Sequence, residues 1–488
     1  MPLPPPRRYR SLMTRSLTVC LLVAPAALPV AAEQVTLRMR GGAFEITGRV
    51  IERNAREWII DAPDLGRMPI DASRFECISG PCNQQEKLAQ PAGSAKLETG
   101  ETTWMGGSVI GTDFMPRLVR AYAQSVGATV DMQVGADPKN LQFSLADATG
   151  RKLGRVEVAR QGVPQGFAAL ATGKADVVWA SRAILPEEEQ MMAAANAGSM
   201  HDAANQHVWA LDAVVVVVAK ENPVVSLSLD SVARIFAGQI RDWGELGLPP
   251  GRINVYAPSA DMGTWSYFDT VVMRPRGLEI AKDAQRLAHA TEWSDKVAAD
   301  PHGIAINSIA LVRKAKTVNI ETSCGMVVPP SVFTAKTSEY PLARPVYFYT
   351  TGRPRNRLAA ALLDFATSPQ VQPVLKEARL VDQDPESVPF IAQSGRIAVA
   401  LNAPTEDFDA ALMSKLIADI RGARRLSLTY RFGTGGSTLD NRGSEDIQRL
   451  AALLTGPDHA GKTIMLLGVS DSVGRFDANL NTARRRAQ

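Results

Sequence analysis

The sequence predicts an α/β fold, and three observations carry that prediction. Between about residues 103 and 383, short apolar runs alternate with helical patterns, the signature of strands joined by helices in a largely parallel sheet. One run, AVVVVVA from Ala213 to Ala219, is β-branched at consecutive positions, which places apolar side chains on both faces of a buried strand. Upstream, from Val35 to Ala62, apolar and polar residues alternate instead, as in a small antiparallel sheet.

Taken in order, the chain opens with Arg7, Arg8, Arg10 and Arg15, then the apolar run SLTVCLLVAPAALPV, then small residues before Glu33. That layout predicts a secretory signal peptide over residues 1–32. The run is short for a transmembrane span, so an exported soluble protein is expected. Residues 33–98 are expected to hold the small β module and a linker, QQEKLAQPAGSAKLETGE, rich in polar residues with Pro and Gly. Cys77 and Cys82 bracket ISGP, a turn-forming tetrapeptide. A disulfide-closed loop suits an oxidising compartment. A C-x4-C zinc half-site is the alternative, without a visible second half. Cys324 reads as a buried thiol.

The region 99–383 carries the alternation. After GGSVIG, a helix is predicted with Phe114, Leu118, Val119 and Tyr122 on one face. ATVDMQVGA reads as a strand, PQGFAALATG as a short helix and KADVVWAS as a strand. HVWALDAVVVVVAKENP holds the buried strand. SLDSVARIFAG is helical, capped by Ser228 or Asp230. Residues 384–423 read as a linker with the helix FDAALMSKLIADIRG, and residues 424–488 start a new β-α-β pattern.

Composition narrows function. The chain has 488 residues, 45% hydrophobic and 21% charged, an ordinary globular balance. Lys+Arg 54 against Asp+Glu 50 gives a net charge of +4, with no basic excess to hold nucleic acid. None of the five histidines falls in an HxxxH or HExxH pattern, so neither metal nor cofactor is expected. GPDHAGKT, Gly456 to Thr463, matches the spacing of a phosphate-cradling loop. Such a loop follows a strand and opens a helix. Here the helical pattern SEDIQRLAALLT, with Ile447, Leu450, Leu453 and Leu454, comes first, and TIMLLGVSD, which reads as a buried strand, comes after. No nucleotide is expected at Gly456–Thr463.

Residues 103 to 383 resemble the phosphate-type periplasmic substrate-binding proteins of ABC transporters. GSVIG resembles the family's first anion-binding turn and ALATGKADVVWASRAI its second block. LDAVVVVVAKENPV followed by VARIFAGQIRDWGELG is the most specific match, and EYPLARPVYFYT and DFATSPQVQPVLKEARLV complete the order. The resemblance implies two α/β lobes of the type II-like binding-protein fold, closing on a small oxyanion such as phosphate, and an ABC permease as partner. Oxyanions bind where hydroxyls and helix N-termini converge, each dipole contributing about 0.3–1 kcal/mol. The residues carried over are Ser108, Thr112, Ser181, Gly263 and Thr264, with Gly107 and Gly111 allowing close backbone approach. The family's third block usually has an Arg and then Ser-Gly-Thr. In YAPSADMGTWSYF, Pro258 and Met262 replace the Arg and the Ser. Arg182 stands where some members carry an Asp, and is expected to supply charge to the anion instead.

The last segment resembles the OmpA-like peptidoglycan-binding domain. YRFGTGGSTLDNRGSEDIQRLAALL is similar to its first strand, loop and helix, and GVSDSVGRFDANLNTARRRA to its core motif. The resemblance implies that Asp471, Asn479 and Arg486 bind peptidoglycan, with Asp471 and Arg486 on the zwitterionic end of diaminopimelate. Relative to that family the domain is expected to lack its last strand, leaving a sheet edge. Together these readings describe a non-enzymatic periplasmic binding protein tethered to the cell wall. The alternative is a wall-associated structural or adhesion scaffold that has lost phosphate binding. No paired carboxylates, His cluster or G-x-S-x-G motif supports catalysis.

Overall fold

A computed structural model describes residues 34–39, 45–53, 57–62, 66–71, 75–79, 98–289, 292–323, 325–402, 410–432, 439–456, 459, 461–470 and 475–487. The expected signal peptide, Cys82, Cys324 and Asp471 lie outside the described residues. The chain divides into two compact units, residues 1–92 and 93–488.

In the first unit, five strands form one antiparallel sheet: β1 Gln34–Met39, β2 Glu45–Arg53, β3 Glu57–Ala62, β4 Gly66–Asp71 and β5 Phe75–Ser79. Their order is β4-β3-β2-β1-β5. The period-2 pattern puts Val35 and Leu37 on the same face. They pack there with Ile46, Ile60, Ala62 and Ile70 as the core. Cys77 is disulfide-bonded.

The second unit opens with β6 Gly100–Gly106, α1 Ser108–Ser125, β7 Thr129–Val134, β8 Asn140–Ala146, β9 Lys152–Ala159, α2 Val163–Ala171, β10 Val177–Ala180 and α3 Pro186–Ala194. Then come β11 Gln206–Val218, β12 Ser226–Ser228, α4 Leu229–Phe236, β13 Asn254–Pro258, α5 Gly263–Phe268, β14 Gln285–Leu287, α6 Glu292–Ala298 and β15 Gly303–Ser308. β16 Lys316–Glu321, β17 Val327–Val328, α7 Val332–Lys336, β18 Ala343–Tyr349, α8 Arg357–Ala366 and α9 Gln372–Glu377 complete the α/β part.

These elements make two lobes sharing a sheet of order β14-β13-β15-β11-β18-β10-β6-β9-β8-β7. The sheet is mixed, which corrects the largely parallel sheet expected. β6 pairs parallel with β9 and β10, and β13 with β14 and β15, whereas β7, β8, β11 and β18 make antiparallel pairs. The chain passes from the first lobe to the second along β11 and returns along β18, and two strands so joined run in opposite senses. The first half of β11 pairs with β18, and Val214 to Val218 pair with β15 in the second lobe. Those five valines are fully buried, each contributing roughly 1.5 kcal/mol or more. β11 is therefore a hinge strand with a foot in both lobes.

Each lobe has its own core. Trp104, Phe114, Leu118, Val119, Tyr122 and Leu362 lie in the first, and Phe236, Phe268, Val297 and Ile306 in the second. α1 buries the predicted face, and Ser228, rather than Asp230, caps α4 by accepting from Ser231 N at 3.0 Å.

The C-terminal segment contains β19 Ser387–Pro389, α10 Ser394–Asn402, α11 Ala410–Ile420, β20 Arg424–Leu426, α12 Asn441–Thr455 and α13 Phe476–Ala487. The buried strand expected in TIMLLGVSD is not formed. Residues 462–470 pair in no ladder, and Met465, Leu466, Leu467 and Val469 are exposed. A strand needs a partner strand's backbone; among the described residues no strand pairs with this run, and the backbone beside Gly468 is that of the helix α13 at Ala483. α12 ends at Thr455, directly before Gly456, and no helix opens at Lys462 or Thr463, the wrong order for a phosphate loop.

Candidate functional site

The two lobes meet where β11 and β18 cross between them. Asp212 and Arg344 are direct partners in that antiparallel ladder. Arg344 is 2% exposed and Asp212 3% exposed. Arg344 Nη2 and Nε donate to Asp212 Oδ2 at 2.7 and 3.1 Å, and Ser308 Oγ donates to Asp212 Oδ1 at 2.7 Å. The guanidinium reaches further into the second lobe. Nη1 donates to the Gly263 carbonyl and Nη2 to Thr264 Oγ1, each at 3.3 Å. It lies 5.2 Å from the Tyr267 ring centre, and burial pushes the Tyr267 hydroxyl pKa up.

A small cavity of about 30 Å³ opens beside this cluster, lined by Val109, Ile110, Asp113 and Phe114 of α1 and by Ser181, Asp212, Ser308 and Arg344. α1 starts at Ser108 behind Gly107, which gives it no side-chain cap, so its first turn offers backbone N–H groups to the cleft. α5 begins at Gly263 and continues into a π-turn, Asp269–Met273, a local device frequent at functional sites. The lobes touch here: a Cβ added to Gly263 would stand 3.0 Å from Ser181 Oγ.

Three of the sequence-predicted residues, Ser181, Gly263 and Thr264, are thus brought together, and Ser108 opens α1 at the same cleft. Thr112 points its hydroxyl at the Ser108 carbonyl, 2.7 Å away, and is exposed. That is the ordinary habit of Thr within a helix. Arg182 is a correction. It is buried in a bidentate pair with Glu188, at 2.7 and 2.6 Å, and also donates to the Ala183 carbonyl. Its charge is neutralised there instead of being offered to an anion. The reason is local: the second carboxylate of PEEEQ, at the start of α3, turns back as a cap onto Leu185 N. Gly111 serves packing, since a Cβ there would meet Arg160 Cγ at 2.6 Å and Trp179 at 2.9 Å.

Neither a motif nor the family resemblance singles out Asp212, Ser308 or Arg344. Their signal was present: a carboxylate in HVWALDAVVVVV and a guanidinium in YPLARPVYFYT, each a charge inside a strand too apolar to leave it unpaired. Among the described residues no group of three or more His, Cys, Asp or Glu could hold a metal ion. In the C-terminal segment, Arg486 Nη1 donates to the Val469 carbonyl at 3.2 Å, and its guanidinium lies 5.3 Å from the Phe432 ring centre. Asn479 stands on α13.

The second unit is thus a mixed α/β domain of two lobes joined by hinge strands, with a polar cleft at the joint. Residues 136–370 match the family model of a PBP superfamily domain. The chain is 28% identical over 239 residues to Protein SphX of Synechococcus elongatus, covering 45% of this chain and 68% of that protein. It is 26% identical over 202 residues to the phosphate-binding protein PstS of Staphylococcus aureus, covering 40% of this chain and 59% of that one. The chain therefore spans less than two thirds of that relative. A solved structure of an ABC-type phosphate transport receptor from Vibrio cholerae is similar, with 20% identity and a TM-score of 0.44, over 57% of this chain and 99% of that chain.

Proposed function

We propose that this protein is a periplasmic receptor that captures a small oxyanion, phosphate first, between its two lobes and presents it to an ABC permease. One observation carries the reading: the hydroxyls of Ser181, Ser308 and Thr264 and the first turn of α1 converge where hinge strands β11 and β18 cross. The similarity to the phosphate-binding protein PstS supports phosphate as the anion. The cleft discriminates by hydrogen bonding: Asp212 is a buried acceptor and rewards a ligand oxygen that still carries a proton. Asp471, Asn479 and Arg486 would tether the receptor to peptidoglycan, by the resemblance of the C-terminal motif alone. Binding without turnover is the expected chemistry.

Calorimetry on the mature full chain, with phosphate as titrant and sulfate as control, tests this. Saturable phosphate binding at micromolar Kd or tighter is expected. No heat with either anion sinks the reading. That second outcome has its own motivation. Two guanidiniums near the cleft, Arg182 and Arg344, are neutralised by carboxylates. This favours the alternative of a wall-associated scaffold. A pull-down on purified peptidoglycan sacculi, compared with an Arg486→Ala variant, tests the tether. Equal retention of both proteins would refute the assigned role of Arg486.

A further inference from the structure

The C-terminal segment does not hang free of the binding lobes. It is pinned first to the second lobe around α7. Lys336 Nζ, held by Asp382 Oδ1 of the α/β part at 2.9 Å, donates to the Asp384 carbonyl at 2.8 Å and to Glu386 Oε1 at 2.6 Å. Glu339 pairs with Arg396 at 2.5 Å and with Arg425. Arg431 donates to the Ser338 carbonyl at 2.6 Å, and Arg442 to Ser338 Oγ at 3.0 Å and to the Lys336 carbonyl.

The neighbouring residue holds the other lobe. Asn441 Nδ2 donates to the His201 carbonyl at 2.9 Å and to Gln206 Oε1 at 3.2 Å. His201 follows Met200, a core residue of the first lobe, and Gln206 opens β11. Asp440 accepts from Gly443 N at 2.7 Å, fixing the first turn of α12 and with it the direction of Asn441 and Arg442. Two consecutive residues of one helix therefore grip two lobes. They do so near Tyr349, which bonds Gln206. On β18, Tyr347 and Tyr349 point to the face opposite Arg344 and the cleft.

In the same structure the lobes touch across the cleft at Ser181 and Gly263. Lobe opening about β11 and β18 changes the separation of the two anchor sets, so arm docking and lobe angle are linked. We propose that the C-terminal segment is an interlobe clasp: docked through Asn441 and Arg442 it favours the closed cleft, and drawing it away lowers anion affinity. Such coupling is reciprocal, so the anion also tightens the clasp. The affinity readout rests on the oxyanion reading, and the lobe-opening readout does not.

The test uses the full mature chain as wild type, Asn441→Ala and Gln206→Ala, with Gln448→Ala on the exposed side of α12 as control. Amide exchange without ligand is followed in the two cleft lips, residues 107–114 and 260–268. Inorganic phosphate is titrated by calorimetry. Both clasp variants are expected to exchange faster at both lips and to bind phosphate about three- to tenfold more weakly, while the control matches wild type. Unchanged lip exchange in both variants overturns the clasp, whether or not phosphate binds. Faster lip exchange in a protein whose wild type gives no phosphate heat upholds the clasp and removes the phosphate reading.

Discussion

Replacing Arg344 with Met tests the centre of the site. The change removes a guanidinium 2% exposed, together with its bonds to Asp212, the Gly263 carbonyl and Thr264 Oγ1. Asp212 is left 3% exposed with Ser308 Oγ as its remaining partner in this cluster. Breaking a buried pair from one side costs about 3–5 kcal/mol, because the surviving charge stays desolvated. At roughly 2–4 °C per kcal/mol for a large domain, the melting temperature should fall by roughly 6–20 °C. Thermal unfolding followed by tryptophan fluorescence reads this, since Trp104 and Trp209 are buried in the first core. The double variant Asp212→Leu, Arg344→Met removes both charges and should recover most of the loss, as apolar replacement of buried pairs is often near neutral. A single variant that loses less than about 1 kcal/mol, or a double variant no better than the single, would refute the account of this pair as the mutual neutraliser at the hinge.

Other substitutions separate closure from stability. Gly263→Val places atoms against Ser181 Oγ, where a Cβ alone would stand 3.0 Å away; it should weaken phosphate binding more than tenfold in calorimetry while the melting temperature stays within a few degrees. Glu188→Ala strands Arg182 in a buried site, and should destabilise by about 3–5 kcal/mol in urea unfolding. Glu339 gives a pH dependence. Burial raises its carboxyl pKa, but the hydrogen bond from Arg425 and the charges of Arg425 and Arg396 outweigh that and hold it below its ordinary value. A depressed folded pKa means the contribution is present above the unfolded value, about 4.3, and is lost as pH falls through the folded value. Limited proteolysis of residues 387–426 should therefore accelerate below about pH 4, and a Glu339→Gln variant should be cleaved faster than wild type at pH 7.

Helices and buried strands were legible in the sequence because their signals are local. The spacing of Phe114, Leu118, Val119 and Tyr122 specifies the buried face of α1, and the run of valines in β11 admits burial on both faces. Ser181, Gly263 and Thr264 could be singled out because the blocks that hold them resemble, in order, those of the phosphate-type binding proteins. What the sequence left open depends on partners far along the chain. Arg344 meets Asp212 across 132 residues, and which charge neutralises which is decided only when β11 and β18 pair. Arg182 could have faced the cleft or Glu188, and burial decided for the carboxylate. TIMLLGVSD has the composition of a strand, yet a strand's hydrogen bonds are made by another strand, and among the described residues none pairs with residues 463–470. Apolar periodicity by itself therefore determined the buried face of α1 and the two-sided burial of β11, but not whether residues 463–470 pair. Tertiary packing alone decided the wiring of the cleft and the grip of α12 on both lobes, because ion pairs and ladders draw their energy from residues the local sequence cannot see.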